Sequence, residues 1–195
     1  MTRFPRLAAA LDYAAEAHGN QARKGTEIPY LGHLMGVASL VIDHGGDEDQ
    51  AIAGLLHDIL EDCGAEHEAP IRRAFGDRVA DMVLACTDGT PDEAGVKAPW
   101  TERKRLYLRH LKTATDETLL VSACDKLHNA RAIAADVAAG EDVFARFKGG
   151  RDGTLWYYRS LLQIFARRLP GQRSLVIELE NAIGRMKAPA AKAAK

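Results

Sequence analysis

Apolar side chains recur at helical spacing along most of the chain. Phe4, Leu7, Ala8, Leu11, Ala14 and Ala15 form an i, i+3, i+4, i+7 stripe. Leu34, Val37, Ala38 and Val41 repeat it, as do Leu175, Leu179, Ile183 and Met186. No stretch alternates convincingly with period two. The pattern predicts helices over about 4–18, 33–43, 48–63, 68–75, 77–86, 101–113, 116–138, 141–148, 153–169 and 172–187. Pro5 falls where a first helical turn would begin, and Pro170 follows Leu169 where a helix would stop. Pro29, Pro91 and Pro99 sit in Gly/Asp/Thr-rich stretches that read as loops, the longest being Thr87–Trp100. Asp77, Asp116 and Asp152 precede helical patterns and are the expected N-caps.

Composition agrees: alanine occurs 33 times, valine and isoleucine together 18 times. The expected class is all-α. At 195 residues one domain is expected over 1–186, followed by a disordered Ala/Lys tail over 187–195. Apolar residues (47%) and charged residues (27%) are those of an ordinary globular protein. Lys+Arg (26) nearly cancels Asp+Glu (27), so the basic excess of a nucleic-acid-coating surface is absent. The longest apolar run, Ala51–Leu56, is far short of the roughly 20 residues of a membrane span. Asp12 and Glu16 interrupt the stretch after Arg3 and Arg6 that would otherwise suggest a signal peptide. Cys63, Cys86 and Cys124 are odd in number with no CxxC pair, which fits a reducing cytoplasm.

The segment 48–63 carries the candidate chemistry. Ile52, Leu55, Leu56, Ile59, Leu60 and Cys63 make its apolar stripe. On a helical wheel at about 100° per residue, His57, Asp58 and Glu61 fall opposite that stripe and Asp62 flanks them. One imidazole and three carboxylates gather there without a cation in the same helix. Read alone, the segment fits either a solvated acidic helix end or a site whose charge a divalent ion offsets. Imidazole with carboxylate suits Mn²⁺, Fe²⁺, Co²⁺ or Zn²⁺. Two other segments favour the ion: His33 opens the preceding helix, and Asp125 interrupts an apolar stretch where a lone carboxylate is costly.

The order His33, His57-Asp58, Asp125 resembles the HD-domain metal-dependent phosphohydrolases, and most closely the (p)ppGpp hydrolase domain of the RelA/SpoT family. Arg23-Lys24-Gly25, Pro29-Tyr30 and His33 resemble that family's RKxG…PY…H segment. Leu55–Asp62 resembles LLHDxxED, and Asp125–Arg131 resembles DRLHNMR. The resemblance covers roughly residues 4–169 and implies a stand-alone small alarmone hydrolase, too short for the family's synthetase and regulatory domains. Three departures lie toward the nucleotide side: one additional residue between Arg23 and His33, Leu34 in place of proline, and Ala132 in place of threonine.

The resemblance implies a compact HD-domain bundle of about eight to ten helices, with the metal site between central helices. It implies that His33, His57, Asp58 and Asp125 ligate one divalent metal, Mn²⁺ first, with Zn²⁺, Fe²⁺ or Co²⁺ as alternatives. Glu61 and Asp62 are then the catalytic pair. Arg23, Lys24, Tyr30 and Asn129 become substrate contacts, with Arg103 and Lys104 joining them from a basic helix. The implied reaction removes the 3′-pyrophosphate of (p)ppGpp to give GDP or GTP. (p)ppApp is the main alternative substrate, ahead of a dNTP or the phosphate of NADPH. The expected partner is a small-molecule nucleotide, with no nucleic acid or membrane, and the chain is expected as a monomer or homodimer. Trp156-Tyr157-Tyr158 reads as packing, and His18, His44, His67, His110 and His128 as structural or surface residues. Cys63 lies on the apolar stripe, which argues against a nucleophile.

Overall fold

The computed structural model describes residues 3–89 and 98–187, so the tail beyond Lys187 and most of the expected Thr87–Trp100 loop lie outside the described residues. Among the described residues the chain forms α1 (Leu7–His18), α2 (Leu31–Asp43), α3 (Glu48–Leu56), α4 (Ile59–Asp62), α5 (Glu68–Phe75), α6 (Asp77–Cys86), α7 (Trp100–Leu111), α8 (Asp116–Ala138), α9 (Gly150–Arg168) and α10 (Arg173–Met186). Two 3₁₀ turns, Ala65–His67 and Val143–Arg146, complete it. The only β pairing among the described residues is an isolated bridge between Ala22 and Pro29.

Four local expectations are corrected. The helix expected over 48–63 is two: α3 ends at Leu56, and α4 restarts at Ile59 after His57 and Asp58. The stretch expected over 141–148 shortens to the 3₁₀ turn, and α1 begins at Leu7 with Arg6 as its cap. The aspartates are not caps but first-turn residues. Thr115 caps α8 by accepting from the Thr118 amide, and Gly76 (φ 93°) precedes α6. Asp77, Asp116 and Asp152 instead place negative charge where the helix dipole favours it.

The core forms around α8, whose residues from Thr118 to Asp125 are all buried. Helices α2, α3 and α10 pack on it. Asp47 and Gln50 begin α3 with a reciprocal capping box. Gly54 then lets α3 come close to α2, because a Cβ there would stand 3.3 Å from the Ala38 Cα. That approach brings the His33 end of α2 to the His57 end of α3. In front of α2, the amide of Arg23 donates to the Ile28 carbonyl (2.8 Å) and that of Tyr30 to the Gln21 carbonyl (2.8 Å). The Arg23-Lys24-Gly25 turn is therefore pinned against the start of α2.

Candidate metal centre and adjoining pocket

Three separate elements deliver four donor side chains to one point. His33 comes from the first turn of α2, His57 and Asp58 from the α3–α4 junction, and Asp125 from mid-α8. His57 Nε2 lies 3.0 Å from Asp58 Oδ2 and 3.5 Å from Asp125 Oδ1. His33 Nε2 lies 3.4 Å from Asp125 Oδ1 and 3.7 Å from Asp58 Oδ2. Donors each about 2.1 Å from a shared ion stand roughly 3.0–3.4 Å apart at octahedral to tetrahedral angles. Both His33 Nε2 and His57 Nε2 are buried without a hydrogen-bond partner. Burying a polar atom unpaired is costly, and an ion among these four groups removes that cost. The residues present fit a divalent metal, with His33, His57 and Asp58 forming a compact ligand group and Asp125 closing it.

The break between α3 and α4 explains the geometry. In one continuous helix His57 and Asp58 would lie on the face opposite the core; here His57 is buried, and its Nδ1 lies 2.9 Å from the Gly54 carbonyl. That carbonyl can only accept, so Nδ1 always carries a proton, and Nε2 is the nitrogen whose proton an ion would displace. Burial pushes the His57 pKa down, but the adjoining Asp58 and Asp125 carboxylates outweigh it and hold it well above the usual imidazole range. Burial likewise raises Asp58 and Asp125, yet His57 and His33 hold Asp58 well below the usual range, and Lys126 with both histidines does the same for Asp125.

A second layer holds the donors. The Tyr30 hydroxyl donates to Asp58 Oδ2, and burial followed by that carboxylate raises its pKa. Lys126 Nζ donates to Asp125 Oδ2 (2.5 Å) and Asn129 Nδ2 to Asp125 Oδ1 (2.6 Å). Arg23 Nη2 in turn donates to Asn129 Oδ1 (2.7 Å). His33 Nδ1 lies 2.9 Å from His128 Nδ1. Burial, then the charges of His33 and Arg23, push the His128 pKa down to about 4.

Glu61 and Asp62 lie one turn past Asp58, beside the donors. Gln21 Nε2 donates to Asp62 Oδ2 (2.9 Å), and Arg103 Nη1 stands 3.7 Å from Glu61 Oε1. Next to the centre, a pocket of about 240 Å³ is lined by Arg23, Lys104, Lys126 and Asn129 on its polar side. Trp100, Phe147, Tyr157 and Tyr158 form much of the remainder. The Tyr157 hydroxyl is buried without a hydrogen-bond partner.

Of the expected substrate contacts, Arg23, Lys104 and Asn129 converge on this pocket. Tyr30 does not line it, because its hydroxyl is turned to Asp58. Lys24 is exposed and does not line it. Arg103 is held next to Glu61 by Asp88, which bonds both Arg103 and Lys104. Sequence reasoning missed Asp88, Lys126 and His128, and read Tyr157 and Tyr158 as core or interface aromatics rather than pocket wall. A lone lysine after Asp125 in a buried helical stretch was the one signal that could have flagged Lys126. Cys63, which burial pushes up to about 11, is no nucleophile at neutral pH.

A family model described as an HD domain matches residues 10–155. The guanosine-3′,5′-bis(diphosphate) 3′-pyrophosphohydrolase MESH1 of Xenopus tropicalis is 38% identical over 125 residues, spanning 63% of this chain and 66% of the relative. The protein of the same name from Drosophila melanogaster is 32% identical over 133 residues, spanning 67% and 70%. A guanosine-3′,5′-bis(diphosphate) 3′-pyrophosphohydrolase of Aquifex aeolicus is 34% identical over 125 residues, but this chain spans only 17% of it. The solved structure of a metazoan ortholog of SpoT, described as hydrolysing ppGpp and playing a role in starvation responses, matches with a TM-score of 0.74 and 25% identity. The match covers 96% of this chain and 98% of that one. Among the described residues no helix is long and apolar enough to cross a membrane.

Proposed function

The chain belongs to the HD-domain family, and from that premise we propose that it is a divalent-metal-dependent 3′-pyrophosphohydrolase of (p)ppGpp, releasing pyrophosphate and GDP or GTP. The observation that carries this reading is the junction of two features. Buried, bare imidazole nitrogens face two carboxylates, and one of those carboxylates is bonded by Lys126 and Asn129 of a cation-lined pocket. A polyanion held by Arg23, Lys104 and Lys126 would lie with its phosphorus beside the centre.

His33, His57, Asp58 and Asp125 are assigned to hold the metal, with Mn²⁺ as the preferred ion. When bound, the ion acidifies water and offsets negative charge on the phosphoryl group. Glu61 and Asp62 are assigned the proton of the attacking water. Water adds to the phosphorus attached to the ribose 3′-oxygen, that P–O bond breaks, and the oxygen leaves with a proton. Gln21 fixes Asp62, and Arg103 faces Glu61, so neither carboxylate need serve as a ligand. Arg23, Lys104 and Asn129 are assigned to the nucleotide from the pocket wall, with Lys24 and Arg103 at its approaches and Tyr30 steadying Asp58.

The pocket's aromatic walls suit a purine face, but the Thr154 hydroxyl is already donated to the Gly150 carbonyl (2.6 Å). The main competing substrate is (p)ppApp, ahead of a dNTP or the phosphate of NADPH. The three free cysteines support a cytoplasmic setting, with the chain acting as monomer or homodimer. A panel of ppGpp, ppApp, dNTPs and NADPH, with pyrophosphate and orthophosphate measured separately, tests the reading. Pyrophosphate with GDP from ppGpp is the expected result. Orthophosphate alone from every nucleotide would overturn it.

A further inference from the structure

His128 faces His33 through two like atoms. Their Nδ1 nitrogens are 2.9 Å apart and their ring centroids 4.8 Å apart. A hydrogen bond between two such nitrogens holds a single proton, so one ring donates and the other accepts. His33 is fully buried, and its remaining nitrogen, Nε2, is the bare atom aimed at Asp58 and Asp125. For Nε2 to offer a lone pair, the proton of neutral His33 must sit on Nδ1, and His128 Nδ1 must accept it. The plain acceptor that fixes His57 is a backbone carbonyl; His33 has an imidazole in that place.

The position of that imidazole depends on α2 itself. A Cβ built on Gly36 would stand 2.5 Å from His128 Cδ2 and closer still to its Nε2. Gly36 lies three residues after His33, so the same face of α2 carries the ligand and the gap that admits the ring supporting it. Beyond Gly36 along this face α2 carries buried side chains instead: Val37 and Leu40.

We propose that His128 is a positioning residue for the metal centre: by accepting from His33 Nδ1 it fixes the tautomer and tilt in which His33 Nε2 faces the ion, and Gly36 provides its clearance. The proposal rests on the metal reading above. It acts through His33 and assigns His128 no contact with ion or substrate. Outer partners of ligating histidines typically contribute tenfold to 100-fold in metal affinity.

The test is Mn²⁺ affinity of metal-stripped protein, measured by calorimetric titration, alongside the thermal midpoint of the stripped protein. His128→Phe, which keeps a ring but removes the acceptor, should weaken Mn²⁺ binding roughly tenfold to 100-fold. His128→Asn, whose Oδ1 takes the place of Nδ1, should recover most of that loss. Gly36→Ala should weaken binding in the natural chain but add little in a His128→Ala background, the non-additivity expected when one residue acts through another. In the Zn²⁺-loaded protein, the ¹⁵N shifts of His33 should show a protonated Nδ1 and a metal-bound Nε2, and His128→Phe should disturb them. If His128→Phe folds poorly, the Asn variant and the Gly36/His128 pair decide the matter alone. Wild-type affinity in His128→Phe, or additive Gly36 and His128 effects, would overturn the proposal while leaving the centre intact. Undiminished Mn²⁺ binding by His33→Ala would overturn the metal reading as well.

Discussion

Stripping the metal should lower the thermal stability of this protein by an amount the structure sets. The four donors come from α2, the α3–α4 junction and α8, so an ion bound among them ties together three elements that are distant in sequence. An ion that binds only the folded chain adds about 2.7 kcal/mol at a free concentration 100 times its Kd. For a chain of this size a kcal/mol moves Tm by roughly 2–4 °C, giving about 5–11 °C between Mn²⁺ and EDTA. Exposed pairs such as Arg78 with Asp49 (3.0 Å) are worth about 0–1 kcal/mol and are indifferent to which cation is added. Calorimetric or circular-dichroism melts over a Mn²⁺ series read the increment, which should grow with the logarithm of concentration. Asp125→Asn should abolish most of it. The same Tm with and without Mn²⁺, or an equal increment in Asp125→Asn, would refute the reasoning.

The sign of the pH dependence follows from the same groups. In the stripped protein His57 is held above its ordinary pKa, so its contribution to stability is full below about 6.5 and is lost as pH rises through its folded value. Asp58 and Asp125 are held low, so theirs is present above about 3.9 and is lost as pH falls through their folded values. Raising the pH in EDTA therefore removes the imidazolium that offsets the Asp58 and Asp125 carboxylates. Mn²⁺ must displace that proton to bind, so its affinity rises with pH and the gap in Tm between Mn²⁺ and EDTA widens.

Glu61→Gln and Asp62→Asn should each retain metal by elemental analysis yet lose at least about 100-fold in kcat, the scale of proton-transfer catalysis; metal lost in step with rate would make them ligands instead. Lys104→Gln should raise KM for ppGpp with Mn²⁺ affinity unchanged, because it lines the pocket and touches none of the four donors; an unchanged KM sinks its assignment. Comparing kcat/KM for ppGpp and ppApp on one preparation decides the base, and a large preference for ppApp reverses the guanine assignment while leaving the chemistry in place. Gly54→Val should cost about 1–3 kcal/mol by forcing α2 and α3 apart, seen as a lowered midpoint in urea; an unaltered midpoint would mean that the close approach is not what joins them.

Helices α5 and α6 run as their apolar periodicity predicts, and so does the long α8. The interruption at His57–Asp58 was hidden because the stripe from Ile52 to Cys63 keeps helical phase across it. What breaks the helix is tertiary: the ring of His57 turns inward, and Asp58 accepts from Tyr30, a residue of another element. The four residues that the structure brings together, His33, His57, Asp58 and Asp125, were legible through motif order, since each is a costly residue in an apolar setting. Their supports were not. His128 differs from the other unassigned histidines only by what stands across from it, and Asp88 draws its role from a cation pair on α7. Tyr157 and Tyr158 are both core and pocket wall, two uses with the same apolar signature.

The distribution of donors along the chain also fixes an order of events during synthesis. His33, His57 and Asp58 leave the ribosome early, and Asp125 follows only after α7 has emerged. A nascent chain holding the first three has an incomplete ligand set on helices that still lack α8, the element against which α2 and α3 pack. The late arrival of α8 supplies the fourth donor, Lys126 and Asn129 of the pocket wall, and the buried surface that fixes the other donors. Assembly of the four-residue cluster is thus coupled to completion of the core, and a half-made chain presents neither the complete cluster nor the pocket wall beside it.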